Sequence, residues 1–198
     1  KSLFDYDNDA YYARLRKKGV VHYCIQLAKH NKLNYLKLEH ETPFIPTDAM
    51  DGAAKNGHLD IVKWIAANRR EGCSFWAMNY AAKNNHLHVI KWLHENRTEG
   101  CTTDAMDWAA MNGHLETVKW LHANRTEGCT IYAMNGAAKY GHLETVKWLH
   151  ENTTKDFTAF AIIWAIQNNH FDVVEWLCKN PKGCTPNAAI DYSIEHNY

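Results

Sequence analysis

With 198 residues, 46% of them hydrophobic, the chain can bury a substantial core, either as one domain or as a continuous array. Its 22 Lys and Arg balance 22 Asp and Glu with no basic run, which argues against nucleic acid or an anionic membrane surface as a partner. No stretch approaches the ~18 apolar residues of a membrane span, and the chain opens at Lys1 without Met or a secretory h-region, as a cut-out domain or processed product would.

In chain order, DNDAYYARLRKK (7–18) is expected to form a polar cap helix, and LAKHNKLNYLKL (27–38) a degenerate first repeat with Leu38 in the place of a later Trp. A 28-residue period then begins. Its anchors are Ala49, Ala77, Ala105, Ala133 and Ala161; His58, His86, His114, His142 and His170; and Trp64, Trp92, Trp120, Trp148 and Trp176. A fixed period in this range marks stacked repeats and a binding surface rather than a catalytic pocket. The copies are 48–75, 76–103, 104–131, 132–159 and 160–187, within one continuous domain that includes a cap region over 1–47.

The copy at 104–131 shows the internal logic. Asp104 is expected to cap a short helix built on Ala105, Ala109 and Ala110, which Asn112-Gly113 ends. A second helix follows from about His114, with Leu115, Val118, Leu121 and Trp120 on one wide buried face and Glu116 within reach of Lys119. Glu144 and Lys147 repeat that pairing. Asn124 to Gly128 form a polar turn into the next copy. The fourth loop, around Thr153–Phe157, lacks the Gly-Cys pair, and Asn180-Pro181 shifts it in the fifth. Residues 188–198 read as the first helix of a truncated further repeat.

Most chemistry-bearing residues follow the period. Cys73, Cys101 and Cys129 fall one repeat apart, about 8–10 Å in packed helices, beyond the ~7 Å reach of a disulfide. Cys24, Cys178 and Cys184 share no pattern, although the last two are near in sequence. Reduced, buried thiols point to an intracellular, cytoplasmic setting. The five repeat histidines are too far apart to share one zinc ion and are expected to bond backbone at the turns. His88, His94, His122 and His150 are expected near the solvent side of second helices. No metal, cofactor or catalytic arrangement is indicated. The sequons at Asn96, Asn124 and Asn152 are expected to mark left-handed turns after helices.

The string WAAMNGHLETVKWL resembles the ankyrin-repeat pattern, and the resemblance extends across all five copies. It implies an all-α helix-turn-helix solenoid. The usual T-P-L-H stretch reads Asp104-Ala105-Met106-Asp107 here, and the 28-residue period implies shortened inter-repeat hairpins. The N-R-T-E-G-C-T loops are similar to those of ankyrin arrays common in protists and large DNA viruses. Leucine-rich and tetratricopeptide patterns do not fit.

The resemblance implies a monomeric protein-interaction scaffold whose partner, another protein, docks on the concave first-helix and loop face. Candidate partner-binding residues are Phe75, Trp76, Tyr80, Asp104, Asp107, Trp108, Met111, Ile131, Tyr132, Tyr140 and Phe160. Gly52, Tyr80, Trp108, Gly136 and Trp164 share one slot and alternate in size, as packing between neighbours would require. Alternative readings are the substrate-recognition arm of a larger complex, such as a ubiquitin-ligase adaptor, or a secreted pathogen effector acting inside a host cell.

Overall fold

A computed structural model describes residues 19–38 and 45–181; the expected cap helix, Cys184 and the truncated last repeat lie outside the described residues. The described chain is all-α, in helix pairs. The pairs are α1 (Val20–Lys29) with α2 (Leu33–Leu38), α3 (Thr47–Lys55) with α4 (Leu59–Asn68), and α5 (Phe75–Lys83) with α6 (Leu87–Asn96). They continue as α7 (Thr103–Met111) with α8 (Leu115–Asn124), α9 (Ile131–Lys139) with α10 (Leu143–Asn152), and α11 (Ala159–Gln167) with α12 (Phe171–Lys179). By compactness the chain divides into unit 1 (Lys1–Ala81 with His86–Gly100) and unit 2 (Ala82–Asn85 with Cys101–Tyr198).

Three first helices, α5, α7 and α9, start where the hydroxyl of Ser74, Thr102 or Thr130 takes up an orphan backbone N–H. Thr102 Oγ1 accepts from the Asp104 N–H at 3.2 Å, and Thr130 Oγ1 accepts from the Tyr132 N–H at 3.1 Å. The expectation for Asp104 is therefore corrected: Thr102 caps, and Asp104 lies in the first turn, where its charge suits the helix dipole. Both residue types cap well, and the one in extended geometry does so here. The first helices end as Asn112-Gly113 predicts, with Gly113 at φ 73°. Asn85 and Asn169 hold the same place at φ 61° and 62°.

The second helices end differently from expectation. Asn96, Asn124 and Asn152 are their last helical residues and have no positive φ. Each side-chain amide donates at 2.8 Å to the carbonyl of the Trp four residues earlier. These asparagines thus bond back onto the last turn of their own helix instead of adopting a left-handed conformation after it.

In unit 2, α9 packs between α7 and α11. The alanine pairs, such as Ala109-Ala110 and Ala137-Ala138, are fully buried and let first helices approach closely. Met106, Met134, Leu121 and Leu149 are also buried, each worth about 1.5–3 kcal/mol relative to exposure. In unit 1, α1 packs on α3, and Leu27 of α1, Leu36 of α2, Met50 of α3 and Ile65 of α4 are fully buried. The repeat tryptophans are only half-buried, a second correction. The indole of Trp148 meets the His122 ring edge-on at 5.2 Å, and Trp176 meets His150 at 5.0 Å. An imidazole from the preceding repeat covers what the core does not.

Candidate partner-binding surface

The variable positions lie on scaffolding that uses more of them than the sequence suggested. Asp107 is 3% exposed. Its carboxylate accepts from the Thr130 N–H at 2.8 Å and the Thr130 hydroxyl at 2.6 Å, tying one repeat to the cap of the next. Asp51 does the same with Ser74 at 2.9 and 2.5 Å. Asn135 reproduces the pair in amide form, accepting from the Thr158 N–H at 3.0 Å and donating to its hydroxyl at 2.8 Å. Burial raises the Asp51 and Asp107 carboxyls above the ordinary aspartate range, against the opposing pull of these hydrogen bonds. Asp107 is thus an internal strut and is not open to a partner.

The histidines act as the turn residues they were expected to be. His58 Nε2 lies 3.0 Å from the Lys29 carbonyl, and His114 Nε2 lies 3.0 Å from that of Lys83. The rings also occupy space left by turn glycines: a Cβ on Gly113 would sit 2.6 Å from His142 Nδ1. Burial lowers the pKa of His114 and His142. Among the described residues no group of three or more His, Cys, Asp or Glu converges on a metal position. Cys73, Cys101, Cys129 and Cys178 are free thiols; Cys73 and Cys129 are buried and Cys101 half-buried. Burial pushes the Cys73 thiol up to about 12 and the Cys101 and Cys129 thiols up to about 11.

The aromatic slot mixes packing with display. The Lys55 ammonium lies 5.1 Å from the Tyr80 ring centre, Lys83 5.2 Å from Trp108 and Lys139 5.5 Å from Trp164. In each case the last residue of one first helix covers the aromatic of the next. Where the slot is Gly136, Met111 fills it, with side-chain atoms 3.0–3.1 Å from a notional Cβ. Met111 and Trp108 are half-buried parts of this ladder, and Asp104 is half-exposed.

Other candidates remain open to solvent. On unit 2, Ile131 is 41% exposed, Tyr132 60% and Tyr140 48%. Phe160 is half-buried, 5.1 Å from Trp164. On unit 1, Phe75 is exposed and tilts against half-buried Trp76 at 4.9 Å, and Trp76 stacks on Tyr80 at 5.3 Å. Sequence reasoning missed an open recess of about 400 Å³ in unit 1, where His22, Ile25, Gln26 and Lys29 of α1 face α3 and α5. The three- and four-residue spacing of those side chains was the available signal.

A family model for ankyrin repeats matches residues 50–135 and 106–190, as three copies, over well more than half of the chain. The chain belongs to the ankyrin-repeat family. No curated protein matches it. Ankyrin repeats generally mediate protein–protein interaction and are typically non-enzymatic scaffolds. Two features distinguish this ankyrin chain. Its period is 28 residues rather than about 33, and short loops without a strand among the described residues join its helix pairs. No described helix is long and apolar enough to cross a membrane.

Proposed function

We propose that this chain binds a partner protein through the first-helix faces of its repeats, with aromatic side chains as anchors. The observation that carries the reading is Tyr132, 60% exposed beside Ile131 at 41%, on a helix whose next residues, Ala133, Met134 and Asn135, are buried. The scaffold does not need an aromatic there, because the matching positions of the preceding repeat are Thr103 and Asp104. Adjacent exposed apolar side chains on an otherwise polar surface favour docking, and Tyr and Trp supply contact area at low entropic cost. A preformed face also loses little conformational freedom on binding.

The test is affinity capture from native cells with wild type and with Trp76→Ala, Tyr132→Ala and Phe160→Ala singly. A partner weakened by these changes, with helical content and melting temperature retained, supports the reading. Collapse of the fold would make the rings core residues, and undiminished capture would place binding elsewhere.

A further inference from the structure

The repeat histidines share a second position besides the turn. His58, His86, His114, His142 and His170 each sit at the N-cap of a second helix, the pole of the helix dipole that disfavours a cation. Three of them belong to unit 2, at the starts of α8, α10 and α12. His114 Nε2 lies 3.0 Å from the Lys83 carbonyl, which can only accept, so the neutral ring carries its proton there. A second proton must go to Nδ1. In the two repeats that follow, that atom lies over a turn glycine of the repeat before: His142 Nδ1 over Gly113, and His170 Nδ1 over Gly141.

The surroundings do not compensate a charge on these rings. The groups that act on His142 through charge are His114 and His170, both like charges once protonated. Glu116 and Glu144, in the first turns of α8 and α10, pair with Lys119 and Lys147 at 2.9 and 2.7 Å. Asp172 is exposed in the first turn of α12, and Lys139 of α9 lies against Tyr140 and Trp164. Burial, then His114 and His170, hold the His142 imidazole below the ordinary histidine range, against a hydrogen bond to the Met111 backbone. Burial does the same to His114.

We propose that His114, His142 and His170 form an acid-sensitive seam in unit 2: as they charge, contacts between successive repeats loosen and the partner docked on α9 is released. The docking face lies on α9, which packs between α7 and α11, so opening at these turns disturbs the alignment of its anchors. The release rests on the interaction reading above; the seam does not.

Hydrogen exchange on the full chain tests the seam, read as protection against the unfolded-chain rate at the same pH. The amides of His142 and Val146, bonded to the Ala137 and His142 carbonyls, should lose protection severalfold between about pH 7.5 and about pH 5.5. His142→Gln should flatten that loss. In an NMR titration the His142 ring should titrate below about 6.5 and move toward that value in His114→Gln or His170→Gln, a coupling that a merely structural ring would not show. That second reading stands even where His142→Gln misfolds. Protection indifferent to pH, an equal loss in His142→Gln, or a His142 titration that ignores both neighbours would overturn the seam. For the release, a protein whose capture at about pH 7.5 needs Tyr132 should elute at about pH 5.5 from wild type and stay on His142→Gln. Equal elution from both, or none from either, would reject the release alone. Capture indifferent to Tyr132→Ala would reject the interaction reading and the release with it.

Discussion

Replacing Asp107 by Ala and by Asn separates the hydrogen bonds of the buried strut from its charge. Asp107→Ala removes two hydrogen bonds, at 2.8 and 2.6 Å, and leaves the Thr130 N–H without its acceptor. At about 1–1.5 kcal/mol each, the loss is roughly 2–3 kcal/mol. Asp107→Asn keeps the pairing that Asn135 makes with Thr158 and removes a carboxylate whose burial is unfavourable. It should be neutral or stabilising by up to about 1 kcal/mol at neutral pH. Because burial raises the folded-state pKa, the wild-type residue contributes most below its unfolded pKa. That contribution declines as pH rises through the folded value, so the Asn variant should gain on wild type from acid to neutral pH. Urea titrations followed by circular dichroism, at several pH values from 4 to 7.5, would measure this; 2–3 kcal/mol moves the midpoint by about 1 M or more. An Asn variant as damaged as the Ala variant at neutral pH, or one that loses ground as pH rises, would refute the reasoning.

Three further outcomes follow from the same geometry. Gly113→Ala should cost about 1–2 kcal/mol or more in thermal or urea unfolding, since it combines a φ of 73° with a Cβ 2.6 Å from His142; Gly113→Asn should cost less, as Asn85 holds that place natively. The lowered pKa of His114 and His142 means that unfolded chains take up protons first. Stability should therefore be full above the ordinary histidine value of about 6.5 and fall as pH drops through it, and His142→Gln should flatten that slope in urea midpoints. Cys73 and Cys129, buried and with raised pKa, should react with a thiol reagent far more slowly in the native protein than in urea, and a reductant should leave the melting temperature unchanged.

The scaffold was legible because its constraints repeat. The Ala pairs, the Asn112-Gly113 turn and the turn histidines each perform in the structure the task their spacing predicts. Polar positions were harder to read. Asp107 looks like a surface acid because sequence does not show that Thr130 lies against its carboxylate. Thr102 and Asp104 are both good caps, and only backbone geometry chooses between them. Asn124 suits a left-handed turn, but a nearby Trp120 carbonyl holds its amide while it stays helical. The recess is lined by three helices from three repeats, which no single repeat reveals.

The most direct test of the central claim is photo-crosslinking in native cells with a benzophenone amino acid at Tyr132 on α9, compared with Glu144 on the second helix of the same repeat. Both positions are exposed, so accessibility alone does not distinguish them. A discrete adduct from position 132 and none from 144 is the predicted result. An adduct from 144 alone would contradict the account.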